Sequence, residues 1–185
     1  MYSQSSEPVQ FAHDCPAVMV PQGENVTLPA GSYGYITQAL GGSFTVYVEG
    51  NLYRIAGMHA AALGKPQPQP LVLPDDADDD AVEALVWQQL RTCYDPEIPF
   101  NIVDLGLIYD VHLHAGTDHA PHRCVAVKMT LTAPGCGMGD ILVDDVRSKL
   151  ECIPTIAKAQ VDLVFDPPWT REMMSEAARL ETGMF

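Results

Sequence analysis

One cysteine of this chain stands in a setting that favours chemistry. Cys136 lies in a glycine-rich stretch, residues 130–140, which reads TLTAPGCGMGD. The stretch follows a predicted strand and precedes a predicted helix. Backbone N–H groups at a helix start lack partners and the helix dipole is positive there, so an exposed cysteine is favoured as the thiolate. A thiolate is a nucleophile and a soft metal ligand, whereas the alternative interpretation is a structural cysteine at a turn.

Two carboxylates are further candidates for chemistry. Glu97 and Asp104 lie in or beside a loop that two prolines confine to residues 95–99. Carboxylates are not needed there for folding, so they are available as hard oxygen ligands or as bases. The alternative is that they cap the chain or are simply solvated. Asp95, directly before Pro96, is predicted to be a turn residue rather than a ligand.

The histidines form a weaker candidate site. His112 and His114 are two residues apart on a predicted strand and therefore share a face. His119 and His122 follow in the predicted turn. Imidazole suits zinc or iron, so these four residues are a possible metal site. A solvent-facing strand edge is the prediction that we prefer.

Composition excludes several classes of partner. The chain has 185 residues, with 24 acidic against 10 basic side chains and a formal net charge of −14. This balance argues against nucleic acid and against an anionic membrane as partners. No apolar run reaches the length of a membrane span, and the first residues lack a secretory signal pattern, so we expect a cytoplasmic protein. None of the five cysteines forms a CxxC pair, which disfavours a zinc site closed by cysteines alone.

The elements that must position Cys136 are predicted in the second half of the chain. A helix is expected from about residue 80, with Asp80 and Glu83 as a capping box. Two antiparallel strands, a helix over residues 140–152 and a parallel strand should follow. Thr170 is predicted to cap a closing helix that ends before Gly183. The fold class expected is α/β (α+β), a small mixed three-stranded sheet with helices.

A small all-β amino-terminal unit is expected to precede that domain. Residues 43–48 and 52–55 alternate around a turn and predict a β-hairpin. The chain is predicted to divide into five segments. They are a flexible start (1–15), a β-rich unit (16–63), a proline-rich and acidic linker (64–77), the α/β domain (78–175) and the closing helix (170–185).

Three motifs in the α/β domain resemble one known family. They are DPEIP at residues 95–99, IVDLGLIY at 102–109 and MTLTAPGC at 129–136, and FDPPWT at 165–170 is also similar. The family is that of the iron–sulfur cluster maturation factors that include SufT and PaaD. The resemblance implies that Cys136 is the motif cysteine and that Glu97 and Asp104 are acidic residues of the same site. Supporting positions are Asp95, Thr132, Gly135 and Gly137, and the last of these replaces a proline present in many members.

The resemblance implies a non-enzymatic carrier or adaptor. It would bind iron or an iron–sulfur cluster transiently and act with the assembly machinery and client apo-proteins. One thiolate cannot enclose a cluster, because four protein ligands are usual, so a homodimer with one Cys136 from each subunit is a possible arrangement. The alternative is a thiol enzyme with Cys136 as nucleophile and a histidine or Glu97 as base. A third reading is a scaffold whose cysteine is only structural.

Overall fold

The chain divides into two compact units. The computed structural model describes residues 6–74, 77–95, 98, 100–115, 123–133 and 139–183. The first unit is Met1–Gln69 and the second is Pro70–Phe185. Each unit has its own cluster of buried apolar side chains.

The first unit is a six-stranded antiparallel sheet in the order β1-β4-β5-β6-β2-β3. Its strands are β1 (Glu7–Gln10), β2 (Cys15–Val20), β3 (Asn25–Leu28), β4 (Tyr33–Leu40), β5 (Ser43–Val48) and β6 (Asn51–Ile55). A 3₁₀ helix, Gly57–Leu63, closes the unit. Alternate residues of the strands point to opposite faces, and only one face carries the core.

The predicted hairpin is confirmed by β5 and β6. The two strands are joined at Glu49 and Gly50, which both have positive φ angles, of 47° and 92°. Two residues with positive φ make the turn whose twist matches that of the flanking strands. Glycine tolerates this conformation without strain.

The start of the chain differs from the expected flexible segment. Residues 7–10 form β1 and pair in register with β4, from Glu7 opposite Ile36 to Gln10 opposite Tyr33. Phe11 is 1% exposed and Cys15 is fully buried. The pattern in residues 7–10 is too short to predict a strand alone, and pairing with β4 stabilises it.

The second unit is built around a three-stranded sheet in the order β7-β8-β9. Its elements are α1 (Asp79–Leu90), β7 (Ile108–Ala115), β8 (Arg123–Met129), α2 (Gly139–Glu151), β9 (Ile156–Leu163) and α3 (Glu176–Thr182). Strands β7 and β8 are antiparallel, whereas β8 and β9 are parallel and joined through α2. The mixed α/β fold class is therefore confirmed.

Helix α1 packs its apolar stripe into this core. Val82, Val86 and Leu90 are fully buried, as the helical spacing predicts. The helix begins earlier than predicted, because the Asp78 side chain accepts a hydrogen bond from the N–H of Ala81 at 2.9 Å. Leu71 and Leu73, from the predicted linker, also pack against this core. In the described ranges, no helix combines the length and the apolar character that crossing a membrane requires.

The closing segment is shorter in α-helix than predicted. A 3₁₀ turn, Arg171–Met173, comes first, and α3 begins only after Ser175, whose hydroxyl accepts from the N–H of Ala178 at 3.2 Å. Ser175 therefore takes the capping role that was predicted for Thr170. The predicted stop is confirmed, since Gly183 has a left-handed φ of 68°.

Candidate functional site

One edge of the three-stranded sheet gathers the segments that carry the motifs. Ile108 begins β7 opposite Met129, the last residue of β8, and Met129 lies opposite Leu163, the last residue of β9. The N–H of Thr130 donates to Leu107 O at 2.8 Å, so the chain leaving β8 is bonded to the chain entering β7. In open sheets, crevices at the carboxyl ends of parallel strands are common sites for ligands. We call this the motif edge: residues 101–107, 129–133 and 163–175.

Asp104 lies in a tight turn that its neighbours hold firmly. The Asn101 Oδ1 atom accepts hydrogen bonds from the N–H groups of Val103 and Asp104, at 3.1 and 2.9 Å. The Asn101 Nδ2 atom donates to Oδ2 of Asp104 at 2.5 Å. Ile102 and Leu105 are fully buried and anchor the turn in the core. The turn therefore presents the Asp104 carboxylate in one orientation.

The closing segment packs directly on this turn. The indole Nε1 of Trp169 donates to Leu105 O at 2.8 Å, and the N–H of Ser175 donates to Asp104 O at 2.8 Å. Gly106 has a φ of +69°, and a Cβ on it would overlap the carbonyl group of Met173. The residues that resemble the FDPPWT motif thus act by holding the Asp104 turn from outside.

In the closing segment, the pKa of one carboxyl group, that of Glu172, is shifted. A hydrogen bond from the Thr170 side chain, followed by one from its own backbone, lowers the pKa of Glu172. Glu172 is exposed, so this shift reflects hydrogen bonds to its immediate neighbours rather than a buried charge.

Asp95 lies buried in the preceding loop. It is 6% exposed, and its Oδ1 atom accepts a hydrogen bond from the N–H of Ile98 at 2.8 Å. Its own N–H donates to Phe100 O at 3.1 Å. This is how a turn residue behaves, in keeping with the prediction for Asp95. Glu97 lies outside the described residues.

Cys136, Gly135 and Gly137 also lie outside the described residues. The described chain reaches Ala133 and resumes at Gly139, where α2 begins. A Cβ on Gly139 would lie 2.8 Å from Cδ1 of Leu131, so a larger residue there would require the Leu131 side chain to move. Thr132 is half-buried. The predicted strand-to-helix setting of the Cys136 segment is therefore present on both sides of it.

The described part of the motif edge contains three carboxylates: Asp104, which is held in the turn, and Asp166 and Glu172, which are exposed. It also contains one unusual hydroxyl. The Asp104 Oδ1 atom accepts no hydrogen bond from any described residue, while Oδ2 is held by Asn101. The Oγ1 atom of Thr130 is buried and has no hydrogen-bond partner among the described residues. Across the described ranges, no three His, Cys, Asp or Glu side chains come together as a metal site. A carboxylate oxygen is a hard ligand, which suits a hard metal ion.

The histidines do not assemble into a metal site among the described residues. His112 and His114 are exposed on β7, with their rings 6.0 Å apart, and Nε2 of His112 lies 2.9 Å from Oδ2 of Asp110. His114 pairs with Cys124, which lies five residues, or about 17 Å along the strand, from Met129. His119 and His122 lie outside the described residues. The positions of His112 and His114 agree with our prediction that these histidines lie on a solvent-facing strand edge.

Sequence reasoning missed Asn101 and Ser175 as positioning residues. Asn101 stands three residues before Asp104, which is the spacing of a side-chain cap on a tight turn, so that signal was present. Ser175 bonds Asp104 across 71 residues through its backbone N–H alone. No sequence signal identifies a backbone bond of that separation.

Comparison with known proteins places the second unit in a family. The family model described as "Iron-sulfur cluster assembly protein" matches residues 83–163. A maturation auxiliary factor for Fe–S proteins from Porphyromonas gingivalis is 49% identical over 98 residues, which are 53% of this chain and 88% of that protein. The Staphylococcus aureus factor SufT is 40% identical over 90 residues, covering 49% of this chain and 96% of SufT. The Bacillus subtilis factor YitW is 36% identical over 106 residues, covering 57% and 98% of the two chains.

These relatives are matched over most of their own length, and the family model spans the sheet, α2 and most of α1 in the second unit. The resemblance seen in the motifs is thereby confirmed. This chain belongs to the iron–sulfur cluster assembly protein family.

Proposed function

We propose that this protein is an iron–sulfur maturation factor, a non-enzymatic carrier or adaptor that assists cluster assembly or delivery to client proteins. The proposal assigns the cargo-binding role to Cys136, with Glu97 and Asp104 as oxygen ligands. It is supported by the family match over residues 83–163 and by relatives that are named as Fe–S protein maturation auxiliary factors. Assembly proteins and client apo-proteins in the cytoplasm are the partners in this proposal.

One observation carries the assignment of the site. The turn that holds Asp104 and both described ends of the Cys136 segment belong to the same region of the second unit. Thr130, six residues before Cys136, is hydrogen-bonded to Leu107, three residues after Asp104. Gly139, three residues after Cys136, packs against Leu131. Cys136 follows Ala133 of the motif edge by three residues, and this short separation supports the proposal that it serves the same site.

Incomplete ligation suits transfer of cargo. A cluster usually takes four protein ligands, and the proposed set contains only one thiolate. The open positions on the cargo are then available to a client, to an assembly protein or to Cys136 of a second subunit. Carboxylate oxygens are harder ligands than thiolate and hold iron–sulfur cargo less strongly, so exchange is favoured over storage.

The test is anaerobic reconstitution with iron and sulfide, read by absorbance and by metal content. We compare the wild-type protein with Cys136→Ser and Asp104→Asn. The matched control is Cys152→Ser, because Cys152 is an exposed thiol at the end of α2 and away from the motif edge. Asn101 can still donate to the side-chain oxygen of an asparagine at position 104, so the turn should persist.

We expect Cys136→Ser to abolish bound iron, Asp104→Asn to reduce it, and Cys152→Ser to leave it unchanged. Equal binding by wild type and Cys136→Ser would refute ligation by Cys136. If Cys152→Ser alone loses iron binding, the binding site must instead be assigned to the carboxyl-terminal end of α2.

A further inference from the structure

The sheet of the first unit has an outer face that is unusually apolar. Cross-strand partners lie on the same face of an antiparallel sheet, so the register defines rows of side chains. One row crosses five strands, and we call it the tyrosine row: Pro8, Tyr35, Tyr47, Leu52 and Val20. Tyr33 adds a further ring on the same face, because it lies two residues from Tyr35 on β4.

The side chains of this row are exposed rather than packed. Tyr33 is 59% exposed, Tyr35 and Tyr47 are each 44% exposed, and Leu52 is 37% exposed. The rings of Tyr33 and Tyr35 meet edge to face with centroids 6.2 Å apart, which orients them without covering them. The neighbouring row on the inner face contains Ile36 and Val46, which are buried. The unit therefore has a second apolar surface that its own core does not use.

A cleft with cationic character borders the tyrosine row. The next row on the outer face contains Thr45, Arg54, Val18 and Asn25. Arg54 and Val18 also line a cleft of about 380 Å³, together with His59. Arg54 already interacts with another group of this chain. Its guanidinium has five N–H donors, so it can bind a carboxylate of a ligand in addition to that group.

The two rows differ in composition from the whole chain, because they contain one basic residue, Arg54. The chain carries a net charge of −14, yet none of the residues in these two rows is acidic. Exposed tyrosine beside arginine is the composition that is enriched in protein-binding surfaces. One cation is too few for a nucleic acid or an anionic membrane, which an acidic protein repels.

We propose that this outer face docks a peptide segment of another protein. The segment would place apolar side chains on the tyrosine row and a carboxylate against Arg54 at the cleft. A second copy of this chain fits less well, because a two-fold contact through this face would bring Arg54 toward a surface without acidic residues. The proposal concerns the first unit alone and does not depend on cargo binding at the motif edge.

The experiment pans a displayed library of random linear peptides against the immobilised full chain. The peptide that is most enriched is then synthesised, and its binding is measured by fluorescence anisotropy. The variants are Arg54→Gln and the double variant Tyr35→Thr with Tyr47→Thr, since threonine retains strand propensity. The matched control is Leu180→Ser, which removes an apolar side chain that is 60% exposed in the second unit.

We expect enriched peptides to combine Asp or Glu with aromatic or aliphatic residues. Arg54→Gln should weaken binding at least about tenfold, as expected when a charge-assisted hydrogen-bonded pair is lost. The double variant should also weaken binding, while Leu180→Ser should not. Circular dichroism of each variant shows whether the first unit has kept its fold.

Three results would overturn the proposal. The first is no enrichment above the starting library, or enrichment of basic peptides. The second is equal binding by wild type and Arg54→Gln, a change that leaves the sheet core untouched. The third is a wild-type dimer that dissociates in the double variant, which would assign the face to a second copy. Iron binding should stay unchanged in every variant, which separates this test from that of the proposed function.

Discussion

The Asn101 side chain holds both the backbone N–H and the carboxylate of Asp104. The Asn101 side-chain oxygen accepts from the N–H of Asp104 at 2.9 Å, and the Asn101 side-chain nitrogen donates to the Asp104 carboxylate. The carbonyl of the same Asp104 accepts from Ser175 at 2.8 Å. The turn at the motif edge is thus fixed from within by Asn101 and from outside by the closing segment.

Replacing Asn101 should loosen this turn. Asn101→Ala removes the acceptor for two backbone N–H groups, and we expect a loss of about 1 to 2 kcal/mol in the free energy of unfolding. Urea denaturation followed by tryptophan fluorescence measures this loss. Asn101→Asp keeps the acceptor but replaces the donor to Asp104 with a second negative charge, so a loss is expected there too. If Asn101→Ala and wild type unfold alike, the side-chain cap does not stabilise the turn.

Gly106 should tolerate no side chain. Its φ of +69° disfavours any other residue, and a Cβ there would lie 2.6 Å from the carbonyl carbon of Met173. We expect Gly106→Ala to cost about 3 kcal/mol or more, from backbone strain and overlap together. Gly183→Ala is the control, because Gly183 has a φ of +68° and no atom of the described residues lies within 4 Å of the added Cβ. Its expected cost is about 1 kcal/mol, and equal costs at the two positions would contradict the packing of the closing segment on the turn.

Replacing Thr130 with valine should make the protein more stable. Its Oγ1 atom is buried and bonds to no described residue, so Thr130→Val removes a polar group that the described part of the core leaves unpaired. We expect a gain of about 1 kcal/mol. The control is Thr92→Val, because the Thr92 hydroxyl donates to Gln89 O at 2.7 Å and its loss should destabilise by about 1 kcal/mol. Destabilisation by Thr130→Val would show that the hydroxyl has a structural partner.

Because of Cys15, the stability of the first unit should fall at alkaline pH. Burial raises the pKa of the Cys15 thiol, so the folded chain keeps its proton more tightly than the unfolded chain does. The stabilisation is fully present below the ordinary thiol pKa of 9.0 and is lost as the pH rises above it. Chemical denaturation at a series of alkaline pH values, followed by circular dichroism, measures this loss.

Two variants isolate the contribution of Cys15. Cys15→Ala should unfold with a shallower alkaline slope than wild type, because the titrating group has been removed. Cys152→Ser should keep the wild-type slope, because Cys152 is exposed. An identical slope in wild type and Cys15→Ala would exclude Cys15 as its source.

Local patterns predicted the elements of the second unit well. The helical spacing of Val82, Val86 and Leu90 matches the buried face of α1, and the change of period after Gly139 matches the parallel connection between β8 and β9. Gly183 ends α3 as expected, because the left-handed conformation is intrinsic to glycine. These features depend on neighbouring residues, which is why sequence alone reaches them.

Helix starts were harder to place. Asp78 rather than Asp80 caps α1, and Ser175 rather than Thr170 caps α3. Each segment offers several residues that can cap a helix, and their intrinsic preferences are nearly equal. The choice depends on where the core side chains of the helix settle, which is a long-range property.

By itself, the sequence determined the motif residues, the family and the alternation of helices and strands, because these follow from residue type and short spacing. Only the tertiary structure decided that residues 7–10 join a sheet, that Trp169 bonds Leu105, and that the tyrosine row crosses five strands. The physical reason is that each of these contacts joins segments far apart in the chain. Whether such a contact forms depends on how the whole core packs, and no local pattern of residues encodes it.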